Sequence, residues 1–304
     1  MALRGVKPKA IEKRLKLFLF GVAGGGKTTG SIQFPGPYLI DCERGAENKQ
    51  YVDLLASKGG RYFNPLNPNP DDKTYTPKSI FEEVLAEVTA LLTTKHQFRT
   101  LIIDPLTVVY NELTDAAARS LVTREDPEGM AFGRHKAKAD RQIKHLFNLL
   151  LRLDMNVVLT SHAKKLWGAG MTDLGNTFDC YSKADYLFDL VIEIQKRGVD
   201  RVGRVIKTRI DGFKEAEIFP FSYDEIAARY GREVLERDAV AQTLATAEQI
   251  TQLRHLIEVL KVPQDTIDKW RDKASADNIE ELPTEIAAKC IEFLTNQVNK
   301  PQAA

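Results

Sequence analysis

The segment "LFLFGVAGGGKTTGS", residues 17–31, constrains this chain more than any other stretch. An apolar run passes into a turn with four glycines in six residues and then into Lys27-Thr28-Thr29. Gly21-x-x-x-x-Gly26-Lys27-Thr28 fits the phosphate-binding loop pattern. A loop without Cβ atoms lets successive backbone N–H groups converge on phosphate oxygens, and the helix that starts there adds the positive end of its dipole. Gly21, Gly24, Gly25, Gly26, Lys27, Thr28 and Thr29 are therefore the expected nucleotide-binding residues. Lys27 reaches the β- and γ-phosphates, and the Thr28 hydroxyl is an expected Mg²⁺ ligand. ATP and Mg²⁺ are the expected cofactors.

The rest of the chain reads as strands alternating with helices. "LKLFLFG" (15–21), "PYLIDCE" (37–43), "FRTLIID" (98–104) and "NVVLTSH" (156–162) are apolar runs ending in polar residues. A helix is expected from Lys27 to just before "FPGP", others over "KSIFEEVLAEVTALLTT" and "ADRQIKHLFNLLLRLD", with later strands in "YLFDLVIEIQKR" and "RVGRVIKTR" paired through "GVDRVG". "RYFNPLNPNPDDKTYTP" (61–77) reads as loop and residues 1–14 as a loose basic arm. Alternation of this kind implies an α/β fold with a mainly parallel sheet covered by helices, and such sheets bind ligands at the carboxyl ends of their strands.

Polar residues collect at those ends. Asp104 is an expected Mg²⁺ carboxylate, with helix capping ahead of Pro105 as the alternative. Glu43 is the expected base for attacking water, the alternative being a loop acid paired with Arg44. Ser161 and His162 compete for the role of γ-phosphate sensor; either could instead cap the next segment.

Composition adds exclusions. Forty-three basic against forty-two acidic residues leave a net charge of +1, so overall charge does not point to a polyanionic partner. No apolar run approaches the roughly 18 residues of a membrane span, and no membrane partner is expected. Three widely spaced cysteines form neither a metal motif nor a disulfide framework, which fits a reducing, cytoplasmic setting. Composition shifts near residue 238: beyond it the chain is helical in pattern, opens on a Thr246–Gln249 capping box, and holds seven basic against ten acidic residues over 246–304. We therefore expect a core over 1–238 and a small helical unit over 239–304.

The motif series "GVAGGGKTTG", "YLIDCERG", "RTLIIDPLTVVY", "NVVLTSHAKK" and "RVIKTR" resembles the RecA-like P-loop ATPases of phages, short recombination and single-strand-annealing proteins of the Sak type, over about residues 15–222. The resemblance implies a RecA-like core and a water-activating glutamate, which falls on Glu43. The coupling position, usually Gln in that family, holds Ser161-His162 here. It implies a homo-oligomer with ATP at subunit interfaces, where Lys207 and Arg209 on one strand face would reach a neighbour's nucleotide; an ordinary solvated face is the alternative. It also places a mobile DNA loop at 163–183, where Lys164, Lys165 and Trp167 combine phosphate neutralisation with base stacking. Residues 124–165 carry nine basic against five acidic residues, Arg134 and Lys136 among them. The function so implied is DNA-stimulated ATP hydrolysis with single-stranded DNA as partner, in the cytoplasm of a phage-infected bacterium. The helical unit would dock a phage single-stranded-DNA-binding or replication protein. A competing reading is a helicase-loader or remodelling ATPase that grips its client through that unit.

Overall fold

The computed structural model describes residues 12–69, 71, 74–76 and 78–298. In chain order the elements are β1 (Lys16–Gly21), α1 (Lys27–Ile32), β2 (Pro37–Asp41), α2 (Lys49–Ser57), β3 (Arg61–Phe63), α3 (Ile80–Thr93), β4 (Thr100–Asp104), α4 (Leu106–Arg119), α5 (Arg134–Arg152), β5 (Asn156–Trp167), β6 (Asp173–Phe178), β7 (Leu190–Arg197), β8 (Asp200–Thr208), β9 (Ile218–Pro220), α6 (Tyr223–Tyr230), α7 (Arg232–Glu236), α8 (Ala247–Val259), α9 (Gln264–Ala274) and α10 (Thr284–Val298). The chain groups into two compact units. One takes residues up to Asn64 with Gln97–Thr107 and Asp154–Ala239; the other takes Pro65–His96, Val108–Leu153 and the residues from Val240 on.

The first unit contains every strand named above, in the order β3-β2-β4-β5-β1-β7-β8-β9, with β6 added beside β5. The pairs among β1, β2, β3, β4, β5 and β7 are parallel, and β7–β8, β8–β9 and β5–β6 are antiparallel. This is the expected mainly parallel α/β sheet. All six residues of β1 are buried, which is why that strand reads as an unbroken apolar run. Leu19, Leu39, Ile102 and Val158 of neighbouring strands pack with Ile32, Leu55, Ile226 and Leu235 from α1, α2, α6 and α7, so helices cover the sheet within this unit.

The second unit is helical in its named elements. Leu253, Leu282, Ala287, Cys290 and Leu294 form a core for α8 to α10, and the Thr246–Gln249 capping box opens α8. Arg152 of α5 donates to Gln242 Oε1 and to the Glu281 carbonyl, both at 2.8 Å. The Gln242 N–H donates to the Leu92 carbonyl at 2.8 Å. The C-terminal helices are thus fastened to α3 and α5.

Three local expectations need correction. The segment 61–77 opens on a strand, β3, because parallel pairing with β2 outweighs the prolines that follow. The strand expected to end at His162 runs on to Trp167, and 163–183 contains an antiparallel hairpin with β6. The expected arm over 1–14 lies outside the described residues up to residue 11, while Arg14, 3% exposed, is no loose arm residue. Its guanidinium donates at 2.7 Å to the carbonyls of Val234, Arg237 and Asp238 and pairs with Asp154 at 3.2 Å.

Lys16 is an unfavourable charge in this unit. It is 6% exposed, donates to the Met155 carbonyl at 2.9 Å, and burial pushes its ammonium down to about 7, against the opposing charges of Asp189 and Asp154. A lysine so depressed contributes its full stability above its unfolded value of 10.5 and loses it as pH falls toward the folded value. Lys16→Met is expected to raise the urea midpoint at neutral pH, with the advantage closing as pH rises toward about 10. A variant less stable than wild type at neutral pH, or an advantage that widens in alkali, would contradict this account.

Candidate nucleotide site

The parallel strands bring their carboxyl ends to one edge of the sheet, and the site is built there. β1 ends at Gly21, in register with His162 of β5. A Cβ on Gly21 would stand 2.5 Å from the Ile194 carbonyl oxygen of β7, so only glycine allows that approach. The loop then turns through Gly24 at φ +68° and Gly26 at φ +94°, conformations that favour glycine. The Gly25 N–H closes the turn onto the Val22 carbonyl at 3.1 Å.

Lys27 opens α1 and folds over the loop. Its ammonium donates to the carbonyls of Gly21 at 2.8 Å and Val22 at 3.2 Å. Burial lowers its pKa, opposed by the charges of Asp104 and Glu43. Thr28, the next residue, donates its hydroxyl to Asp104 Oδ2, and the Thr160 hydroxyl donates to Asp104 Oδ1. Burial pushes the Asp104 carboxyl up from its ordinary value, while the hydrogen bonds from Thr160 and Thr28 and the charge of Lys27 hold it down.

Asp41 stands in register with Asp104 and accepts from the backbone N–H groups of Glu43 at 3.1 Å and Ala46 at 2.7 Å. Those bonds fold residues 42–46 into a turn with Arg44 at φ +59°, and the turn aims Glu43 at the cleft. Glu43 Oε1 lies 3.0 Å from His162 Nε2, both side chains being almost half exposed. Lys27, Thr28, Asp41, Glu43, Asp104 and His162 line this one cleft.

Ser161 is buried behind it. Its hydroxyl lies 3.0 Å from Thr107 Oγ1 and accepts from the Asp179 N–H at 3.1 Å, while the His162 N–H donates to Thr107 Oγ1 at 3.0 Å. Alternation along β5 puts Thr160 and His162 on one face and Ser161 on the other. Of the two sensor candidates, only His162 reaches the cleft. Lys207 and Arg209 are directed elsewhere: they donate to the carbonyls of Phe188 and Tyr186, with burial lowering the Lys207 pKa. Lys164, Lys165 and Trp167 stand on the β5–β6 hairpin, the lysines paired with Asp179 at 3.1 Å and Asp173 at 2.8 Å and Trp167 about half exposed. Arg134 and Lys136 belong to α5, in the other unit, where Arg134 lies 3.8 Å from Asp126. Thr160 and Thr107 are the site residues that sequence reasoning missed, and Asp41 stands among the polar strand-end residues without an assigned role; the two-residue spacing back from His162 was the available signal for Thr160.

Among the described residues, no group of three or more His, Cys, Asp or Glu is placed to hold a metal. The donors at hand, the Thr28 hydroxyl and the Asp104 carboxylate, are hard oxygens. They fit Mg²⁺, which takes one or two carboxylates and completes its shell with phosphate and water oxygens.

A phosphate loop after one strand and an acid at the end of another, one strand removed on the same parallel sheet, define a P-loop nucleotide hydrolase. The chain belongs to the AAA domain family, which matches residues 13–212, and it is an ATPase. Among solved structures it is similar to the RadB recombinase, with a TM-score of 0.42 at 15% identity over 69% of this chain and 88% of that one. It is also similar to a prototypical ATPase from the type III secretion system of pathogenic bacteria, with a TM-score of 0.34 at 12% identity over 93% of this chain and 80% of that one. Both likenesses are distant. No curated protein is significantly similar in sequence. No described helix is long and apolar enough to cross a membrane.

The raised Asp104 carboxyl gives a test. A carboxyl raised by folding contributes its full stability below its unfolded value and loses it as pH rises through the folded value. Asp104→Asn cannot ionise, and both threonine hydroxyls can rotate to suit an amide. The nucleotide-free variant is therefore expected to gain thermal stability relative to wild type as pH rises above about 4, while its ATP hydrolysis falls sharply. A stability difference that shrinks over that range would refute the burial argument.

Proposed function

We propose that this ATPase is Mg²⁺-dependent and couples ATP hydrolysis to single-stranded DNA held along the β5–β6 hairpin, acting in phage recombination or annealing. The observation that carries this reading is the 3.0 Å contact between Glu43 and His162, because β5 continues from His162 into Lys164, Lys165 and Trp167.

In this reading the loop amides and Lys27 hold the triphosphate. Mg²⁺, when bound at Thr28 and Asp104, offsets charge on the phosphate oxygens. Glu43 orients the attacking water and accepts its proton. A γ-phosphate in the cleft competes with Glu43 for the imidazole of His162. Exchange of that partner frees the carboxylate and displaces β5 at its exit from the sheet. The hairpin is the same strand, so the displacement reaches the DNA-holding residues without an intervening loop. The ion pairs of Lys164 and Lys165 are exposed, and pairs of that kind contribute only about 0–1 kcal/mol, so DNA phosphates can replace Asp179 and Asp173. Trp167 offers a face for base stacking. Lys207 and Arg209, turned away from the cleft of their own chain, serve a neighbouring subunit's nucleotide in a homo-oligomer.

Glu43→Gln is expected to retain ATP binding while lowering kcat by roughly 100-fold or more, since positioned acid–base groups contribute about 10²–10⁴-fold. An unaltered rate would put the water-orienting group elsewhere. Wild-type hydrolysis should rise with single-stranded oligonucleotide, and Trp167→Ala should weaken oligonucleotide binding by about 1–3 kcal/mol in fluorescence anisotropy. A rate indifferent to DNA, together with no binding in the presence of a non-hydrolysable ATP analogue, would sink the DNA assignment.

A further inference from the structure

β7 meets the phosphate loop and the β5–β6 hairpin through adjacent residues, all within the first unit. The Ile194 carbonyl oxygen would stand 2.5 Å from a Cβ on Gly21 and 3.8 Å from one on Gly25, so the strand backs directly onto the loop. Glu193, one residue earlier, lies in register with Phe20 of β1. Its side chain alternates away from Ile192 and Ile194, which belong to the helix-covered core, and turns toward the hairpin.

Glu193 is 4% exposed. Its Oε1 accepts from Asn176 Nδ2 of β6 at 3.1 Å, and its Oε2 accepts from Gln195 Nε2 at 2.8 Å, with the Arg204 guanidinium of β8 at 3.7 Å. Asn176 stands opposite Lys165 in the hairpin. Phe178, two residues on, lies on the same face of β6, and its ring meets those of Phe18 at 5.1 Å and Phe20 at 6.0 Å, both edge-on. β6 therefore lies across β1 and β7 at the residues that lead into the phosphate loop. A buried carboxylate costs stability unless donors satisfy it, and an aliphatic side chain at this position would pack without that demand. The ring contacts set how closely β6 lies. The hydrogen bond, which weakens steeply off its preferred angle, sets its position along the sheet. The hairpin is thus tied to the nucleotide site twice, through His162 of β5 and through Glu193 to β6.

We propose that Glu193 is a positioning residue for ATP hydrolysis: its bond to Asn176 fixes the hairpin relative to the phosphate loop, so that each responds to the other's ligand. A nucleotide that shifts the loop moves β6 through Ile194 and Glu193, and by linkage a ligand that moves the hairpin acts back on the loop. The inference rests on the proposed movement of the hairpin with nucleotide and does not require that DNA be the hairpin's ligand.

The test follows Trp167 emission on the full chain carrying Trp270→Phe, which removes the other tryptophan. In this reference protein a non-hydrolysable ATP analogue with Mg²⁺ is expected to change Trp167 emission. Asn176→Asp sets two carboxylates against each other; it should abolish that change and lower kcat about fivefold or more, with KM within about twofold. Adding Glu193→Gln to Asn176→Asp restores the hydrogen bond with donor and acceptor exchanged, and both readouts should return toward the reference. This rescue also guards against a folding defect in the single variant. A double variant as impaired as the single one would make the contact merely structural and overturn the proposal. An emission response that survives Asn176→Asp would keep the hairpin movement and overturn the role of Glu193. A reference protein whose emission ignores an analogue that calorimetry shows to be bound would remove the movement and that role together.

Discussion

Three segments far apart in sequence meet on one carboxylate. Asp104 at the end of β4 accepts hydroxyl hydrogen bonds from Thr28 of α1 and Thr160 of β5, and its backbone carbonyl accepts from the Cys42 N–H beyond β2 at 2.8 Å. A part-buried carboxylate without partners would be costly, and leaving one of its donors unpaired costs about 1–3 kcal/mol. The phosphate loop is therefore not a free turn at the edge of the sheet. Its helix is tied through Thr28 to the strand that supplies the acid, and that strand to the one that supplies His162.

The strand order makes this possible. β5 lies between β1 and β4, so its end stands beside both the phosphate loop and the acid. Parallel direction puts all three ends at the same edge. The pleat then divides the work along β5: Thr160 and His162 share one face, bonded to Asp104 and Glu43, and Ser161 turns the other way to Thr107 and the Asp179 N–H. The inward residue anchors the strand at the point where it leaves the core.

Much of this was legible in the chain because it is local. The glycine turn, Lys27, Thr28 and the apolar runs of β1, β2 and β4 need no knowledge of distant residues. Glu43 and Asp104 followed from their place at strand ends. What escaped depends on long-range partners. The outer half of β5 has polar residues and a nearby glycine, so it reads as loop; only pairing with β6 makes it a strand. Arg14 looks like one more basic residue until the carbonyls of Val234, Arg237 and Asp238 surround it. Asp41 sits two residues from Glu43 and could have been taken for a second catalytic acid; its bonds to the Glu43 and Ala46 N–H groups show a turn-former. Arg201 is an unremarkable strand residue until β8 carries it over Gly26.

The two lysines that flank β1 show how burial can serve binding or merely oppose folding. Lys16 at its start and Lys27 just past its end are both largely desolvated, and both donate to backbone carbonyls. For Lys16 the loss of water drives the ammonium toward neutrality, against the charges of Asp189 and Asp154. In the proposed function the same loss at Lys27 prepares the site. Its ammonium is already stripped and oriented, with Asp104 and Glu43 favouring the charged form. A phosphate that displaces the two loop carbonyls gains the interaction without first dehydrating the cation, which is how preorganised charge favours binding and catalysis. In the proposed function the stability given up at Lys27 is thus coupled to affinity for the triphosphate.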